Sequence, residues 1–353
     1  MDNKKFILRF VAIAALPLVL ILALNYMIDP LQLYRRSSIA PSFFVTQQRF
    51  QFPGVARNFA YDTVVIGSSM SENALPAHIN NTLGVNSINL AFAAAASREQ
   101  KLLAQVAINT GQVKNLIWEI NFDSISAPPE TVRDQFGPFP FHLYDRNPFN
   151  DLNYLLNKDT LEMSLDIVRF IRGMKDLPER DVKTMYSWHP LVTYGKDLVL
   201  QKWEEAKRGP RKIDPESFGK MTRDNLEQNI ISVVRANPQI NFYIYYPPFS
   251  ILKQRHYYEG NPLLFENNLM AKEYVFERLG GLDHVKIFDP QADERITFDL
   301  DRYKDLSHYD QRANEQIIEA FVTGEYLVDD SNSSQVIEKL RKQVETLDML
   351  LFE

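Results

Sequence analysis

Ser69 stands just past a short apolar run, in Asp62-Thr-Val-Val-Ile-Gly-Ser-Ser-Met-Ser-Glu-Asn73, and Asp305-Leu-Ser-His308 stands near the other end of the chain. A serine hydroxyl attacks a carbonyl only when a base takes its proton, and an imidazole oriented by a carboxylate is such a base near neutral pH. In this reading Ser69 attacks, His308 shuttles the proton, and Asp305 orients the ring and stabilises its charged form. Alone, Gly-Ser-Ser reads as a strand-end turn with a helix-capping serine, and Asp-x-x-His as a surface cap. Placement joins them: the serine ends the first core strand and the Asp-His pair precedes the last core helix, which points to acyl transfer through an acyl-enzyme. Ser71 is a second hydroxyl on the same run, but it falls inside the following helix, where capping or back-bonding suits it better.

These residues need a sheet edge to meet on. Apolar runs predict strands over 61–67, 85–91, 115–122, 240–246 and 284–288. Helical spacing predicts helices over 97–110, 222–236 and 263–279, the last stopped by Gly280-Gly281, with Asp310 capping a final core helix over 311–323. Strands alternating with helices imply an α/β fold with a mostly parallel sheet joined by right-handed crossovers. Residues 124–215 break the rhythm with prolines and aromatics, and read as a mostly helical insertion on the loop side of the third strand, where such folds place substrate-binding embellishments. Its aromatics Phe136, Phe139, Phe141, Tyr144, Trp188 and Trp203 are free to line a groove or to pack the insertion's own core. In Phe242-Tyr-Ile-Tyr-Tyr-Pro-Pro-Phe249 the strand itself reads as core, with Pro247, Pro248 and Phe249 on the site rim. Val336 to Leu351 forms an amphipathic C-terminal helix with Ile337, Leu340, Val344, Leu347 and Leu351 on one face, able to pack on the domain, dimerise or touch a partner.

The N-terminus sets the compartment. Lys4, Lys5 and Arg9 precede an uncharged apolar run that, with its flanks, reaches the roughly 20 residues needed to span a bilayer. A cleaved signal peptide has the same order of basic and apolar regions, but this run is long for one and Asn25-Tyr-Met-Ile-Asp-Pro30 lacks a small-x-small cleavage pattern. The reading is therefore a cytoplasmic tail over 1–5, a transmembrane anchor over 6–28, a juxtamembrane connector without clear period over 29–57, an α/β domain over 58–328, and a C-terminal helix over 329–353. The positive-inside rule places the domain outside the cytoplasm, on the periplasmic side of the cell membrane. The 353 residues carry a formal charge of -6 with scattered lysines and arginines, so nucleic acid is not an expected partner. There is no cysteine, which excludes disulfides, thiolate metal sites and a cysteine nucleophile. The other histidines, His78, His142, His189, His256 and His284, show no paired metal spacing, and no phosphate-loop pattern surrounds the glycines, so neither metal nor cofactor is expected.

On these residues the chain resembles the SGNH, or GDSL-like, hydrolase superfamily, and within it the membrane-anchored branch that includes the D-alanyl-lipoteichoic acid biosynthesis and alginate O-acetyltransferase proteins. Ile66-Gly67-Ser68-Ser69 matches the family's first block, with serine in place of the usual aspartate before the nucleophile, and Asp305-Leu-Ser-His308-Tyr309 matches the last. Asn89-Leu-Ala91 aligns with the second block, alanine standing where glycine is usual, and Glu119-Ile-Asn121 lies where the third carries its asparagine. The resemblance implies a three-layer, flavodoxin-like sandwich and an oxyanion hole built from Ser69 N–H, Ala91 N–H and the Asn121 amide. For Asn121 the competing reading is a buried polar group that satisfies a strand end. The resemblance also implies O-acylation, such as O-acetylation, of a cell-envelope polysaccharide or its precursor, with the acyl group delivered by a multispanning O-acyltransferase partner. Esterase action on the same groups is the closest alternative. A silent glycan-binding or scaffold protein is the alternative from another class.

Overall fold

The computed structural model describes residues 3–206 and 215–352, and the chain divides into two compact units: Met1–Ala60 with Pro138–Met185, and Tyr61–Gly137 with Tyr186–Glu353.

The first unit begins with helix α1 (Asn3–Ile28), whose segment Phe6–Ile28 is long and apolar enough to cross a membrane. Asp29 ends it with a positive φ of 49°. The Asp29 carboxylate then gathers the next backbone N–H groups, accepting from Leu33 (2.9 Å), Tyr34 (2.8 Å) and Arg35 (3.1 Å). The connector that follows is not devoid of regular structure, because it contains α2 (Gln48–Asn58). Pro53 and Gly54 lie inside that helix and buried Arg49 and Gln51 interrupt its apolar face, so it shows no helical stripe in the sequence. Gly54 is needed for a close approach: a Cβ there would stand 2.2 Å from the Leu31 carbonyl oxygen. Gln51 Nε2 donates to that carbonyl (2.9 Å), and Asn58 Nδ2 to the carbonyl of Gln32 (2.7 Å).

Part of the expected insertion folds here. The short helix α3 (Leu152–Leu155) and the amphipathic helix α4 (Lys158–Ile171), capped by Asn157, both pack on α1. Tyr154 OH donates to Asp29 Oδ1 (3.0 Å) and accepts from Leu31 N (3.1 Å), and Asn25 Nδ2 donates to Leu155 O (2.8 Å). Residues 186–206 belong instead to the second unit, and 207–214 lie outside the described residues. A single insertion over 124–215 is thus replaced by one segment shared with the N-terminus and one that stays with the sheet.

The second unit is α/β. Six strands, β1 (Thr63–Ile66), β2 (Ser87–Asn89), β3 (Asn115–Glu119), β4 (Asn241–Tyr245), β5 (Val285–Phe288) and β6 (Leu327–Val328), form one sheet in the order β2-β1-β3-β4-β5-β6. All pairings are parallel except β5 with β6. Val64, Val65, Ile66, Leu116, Ile117, Trp118 and Ile244 are wholly buried, so successive residues facing opposite sides are both covered, as in a parallel sheet with packing on both faces. Five strands fall inside the predicted runs. The sixth was not expected, since two residues leave no period to read.

The crossing helices follow the spacing with one irregularity. The predicted helix over 222–236 starts at Pro215 and passes through a π-helical turn at Glu227–Ile231. Buried Asn225 just before it and Asn229 within it reach out to the carbonyls of Ala127 (2.7 Å) and Pro129 (2.8 Å), the kind of local demand that π-bulges serve. Lys272, on the helix Pro262–Leu279, and Asp289, just past β5, form an ion pair of 2.6 Å with side chains 1% and 0% exposed. Burial pushes the Lys272 ammonium below its ordinary value, and Asp289 opposes that. The C-terminal helix spans Ser333–Glu345 rather than reaching Leu351, and buries Ile337, Leu340 and Val344 against the helices Ile251–Gly260 and Pro262–Leu279. Of the three roles open to it, packing on its own unit is the observed one.

Candidate active site

The strand order makes β1 and β3 the point where the chain reverses its direction of travel across the sheet, and crevices at the carboxyl ends of such strands are where α/β folds bind ligands. Both ends are occupied by chemistry. β1 runs into Gly67, which passes so close to β3 that a Cβ would lie 2.7 Å from Glu119 Oε2. Glu119 is the last residue of β3 and is fully buried. A carboxylate out of water must be compensated by donors. It receives them from the turn above: Ser68 N (2.8 Å), Ser68 Oγ (2.9 Å), Ser71 Oγ (2.6 Å) and the Asn121 amide. Ser69 is thereby carried on a turn whose neighbours on both sides are tied to one buried anion. Ser71 is not a helix cap, because its hydroxyl is held between Glu119 and Tyr245 OH (2.8 Å), away from any substrate.

Ser69 Oγ lies 2.9 Å from His308 Nε2, and His308 Nδ1 lies 2.8 Å and 3.0 Å from the two oxygens of Asp305. The Asp-x-x-His spacing closes on itself, since Asp305 Oδ1 also accepts from the N–H groups of Ser307 (2.8 Å) and His308 (2.9 Å). Burial alone would raise the Asp305 carboxyl. The bond to His308, the imidazole's charge and the two backbone N–H groups outweigh it and hold the carboxyl at about 2. The loop is fixed from both sides: Tyr303 and Tyr309 bridge across its base, and Ser250 Oγ donates to Leu306 O (2.6 Å). Asp310 caps the helix Gln311–Thr323 through Ala313 N (2.9 Å). Ser69, His308 and Asp305, which lie far apart in sequence, are therefore brought together.

The two other expected site residues are placed differently. Ala91 N–H donates to Asn89 Oδ1 (2.9 Å) in a local turn, and Ala91 is 1% exposed, so that donor does not face a substrate. Asn89 is held in place by its own amide, which donates to the carbonyls of Ser71 (2.7 Å) and Ala74 (2.9 Å). Asn121 borders the cavity, but its amide hydrogens go to Glu119 and Ser68 Oγ (3.1 Å), and its oxygen accepts from Ser124 N (2.9 Å). It acts as the buried polar group at a strand end. Ala94, three residues beyond Ala91, sits on the cavity wall with a positive φ of 50°. Among the described residues, neither its N–H nor that of Ser69 has a hydrogen-bond partner.

A cavity of about 150 Å³ opens beside Ser69 and His308, walled by Met70, Ala94, Phe249 and Arg133. A volume of that size admits a benzene-sized group. Of the aromatics expected to line a groove, Trp188 reaches the site: its indole N–H donates to the Ser69 carbonyl (2.9 Å) and its ring stands edge-on to His308 at 5.3 Å. Asn73 Oδ1 holds that loop by accepting from Ser187 Oγ, Trp188 N and His189 N. Phe139 and Tyr144 instead pack together at 4.7 Å inside the first unit, and Trp203 is buried. The residues that sequence reasoning missed are Glu119, Ala94 and Arg133. For Glu119 a signal existed, an acid ending an otherwise apolar strand; for Ala94 there was none, because one alanine in Ala93-Ala-Ala-Ala96 looks like the next. Comparison of the chain with protein-family models, with curated proteins and with solved structures returns no significant match.

Proposed function

We propose that this protein is a membrane-anchored serine acyltransferase of the SGNH type, with a three-layer core, working on the extracytoplasmic side of the membrane in O-acylation of an envelope polysaccharide. The observation that carries the reading is the continuous chain Ser69 Oγ, His308, Asp305, with contacts of 2.9 Å and 2.8 Å, at the mouth of a cavity. His308 Nε2 takes the Ser69 proton as Oγ attacks the acyl carbonyl. The oxyanion that forms is met by the N–H groups of Ser69 and Ala94, each such donor being worth roughly 3 kcal/mol in serine hydrolases. The imidazolium, stabilised by Asp305, protonates the leaving group and an acyl-Ser69 remains. An acceptor hydroxyl then gives its proton to His308, attacks the acyl carbon and frees the serine. The cavity volume suits a short acyl group such as acetyl. A multispanning acyltransferase that brings the acyl group across the membrane is the partner this reaction calls for.

The test is reaction of the detergent-solubilised protein with a fluorophosphonate and with a model acetyl ester. Labelling is lost in Ser69→Ala, and ester turnover falls by roughly 10⁶-fold in Ser69→Ala and in His308→Ala, with unchanged thermal unfolding. Parent reactivity no greater than that of the variants would leave the scaffold reading in possession. Release of acetate without transfer to any added sugar hydroxyl would select the esterase.

A further inference from the structure

The first unit carries an apolar surface that the acyl-transfer reading does not use. Among the described residues, those of this unit outside α1 include more exposed large apolar side chains than those of the larger second unit. They concentrate around α3 and α4: Phe149 is 85% exposed, Leu152 48%, Ile171 53% and Met174 71%. Alone, such a surface says nothing about what covers it. Its height along α1 does.

Arg9 keeps its charge at the membrane boundary, so the span begins near Phe10. The uncharged run from Phe10 to Ile28, at about 1.5 Å per residue, is roughly 28 Å long against the 30 Å of a hydrocarbon core. Even a span counted from Phe6 reaches only to about Tyr26. The last two turns of α1 are therefore needed inside the outer leaflet. These same turns are where α3 and α4 pack: Asn25 is buried and Ile21, Leu22, Leu24 and Ile28 are half-buried, whereas among the described side chains from Asn3 to Leu20 all are exposed except the half-buried Ala15. An aromatic cluster marks the level independently. The rings of Tyr26 and Tyr34 lie 5.1 Å apart and those of Tyr34 and Tyr154 6.1 Å apart, each pair tilted, and the Arg35 guanidinium lies 4.9 Å from the Tyr26 ring. Tyrosine with arginine is the composition of the headgroup boundary. Tyr154 belongs to α3, so α3 and the start of α4 share that boundary. The polar side of α4 suits it too, its charges being paired in Lys158–Glu162 and Arg169–Asp166, with Lys175 joining Asp166.

We infer that the α3–α4 segment is a membrane foot, seated in the outer headgroup layer with Phe149, Leu152, Ile171 and Met174 in contact with lipid. This rests on the membrane-anchor reading above. The foot would hold the first unit against the bilayer surface rather than on a free tether.

The chain has no cysteine, so single-cysteine variants of the full-length protein report one position each. Leu18→Cys, Phe149→Cys, Ile171→Cys and Glu162→Cys are labelled with an environment-sensitive fluorophore and reconstituted into phosphatidylethanolamine–phosphatidylglycerol vesicles without other protein. Lipids carrying a quencher high on the acyl chain, and iodide in the water, read out depth. The expected result is a blue shift and lipid quenching at Leu18, Phe149 and Ile171, with Glu162, on the opposite side of α4, quenched by iodide alone. If Leu18 is lipid-quenched while Phe149 and Ile171 behave like Glu162, the anchor stands and the foot is overturned. If Leu18 is not quenched by lipid, the anchor reading itself has failed. Shielding of Phe149 and Ile171 only when a multispanning membrane protein is co-reconstituted assigns the face to that protein and overturns the lipid proposal.

Discussion

The two units hold their backbones in different ways. In the sheet unit the peptide groups of β1 to β5 satisfy one another in a parallel ladder, and polar side chains are left for the strand ends, where they build the site. In the first unit, between α1 and α2, backbone groups are met by side chains: Asp29 accepts from three N–H groups, and the Gln51 and Asn58 amides donate to the carbonyls of Leu31 and Gln32. A ladder adds one bond per residue and is indifferent to which apolar side chains line it. A mesh of side-chain bonds depends on each residue that makes it. The first arrangement tolerates substitution along its length and concentrates its sensitivity in a few buried charges, and the second spreads it over many single residues.

The largest break is expected at the buried ion pair of the sheet unit. Lys272→Met leaves Asp289 without its partner in a fully buried position, and removing one member of such a pair costs about 3–5 kcal/mol. Denaturant unfolding of the sheet unit reads this directly. The double variant Lys272→Met/Asp289→Leu is expected to recover most of the loss, because apolar replacement of a whole buried pair is close to neutral. A double variant as unstable as the single one would mean that the pair holds the strand end by its geometry rather than by mutual neutralisation.

A smaller and more local break is expected in the first unit. Asp29→Ala strips the partner from the N–H groups of Leu33, Tyr34 and Arg35, a cost of about 1–3 kcal/mol for groups kept from water. Limited proteolysis of the detergent-solubilised protein should then cut between Asp29 and Pro53, while the sheet unit unfolds at its usual denaturant concentration. A sheet unit destabilised as much as by Lys272→Met would show that the two modes of construction are not independent.

This contrast also explains what the sequence disclosed. Thr63 to Ile66, Asn115 to Glu119 and Asn241 to Tyr245 announce themselves because a buried parallel strand is an uninterrupted apolar run. Ser69 was legible because it sits where the first of those runs stops, and Asp305 and His308 because they just precede the last core helix, so that position supplied what the short motifs lacked. The connector was opaque for the opposite reason: Asp29, Gln32, Gln51 and Asn58 act by single directed bonds, which leave no period. So was the placement of the oxyanion donors. Asn89 looked like an asparagine presenting the N–H of Ala91, but its side chain takes that N–H itself, and the turn reaches the cavity at Ala94, whose positive φ no alanine advertises. Glu119 was visible as a residue and not as a role, since its function depends on Gly67 passing within contact distance.

The smallest expected effect tests whether Asp305 is tied into its unit or only into the reaction. Its carboxyl sits at about 2 in the folded protein, below the value near 3.9 of an unfolded aspartate. A carboxyl depressed by folding stabilises the fold fully above its unfolded value and loses that contribution as pH falls through its folded value. The difference in stability between the parent and Asp305→Asn should therefore be constant above about pH 4 and shrink between about pH 4 and pH 2. Ester turnover behaves otherwise: it is low in Asp305→Asn at every pH, because the amide offers His308 Nδ1–H a poorer partner and leaves the imidazolium unneutralised. Unfolding measured across that acid window, beside turnover near neutrality, separates the two contributions. A stability difference that holds unchanged down to pH 2 would mean that the amide and the carboxylate serve the Ser307 and His308 N–H groups equally, and that the charge of Asp305 matters to catalysis alone.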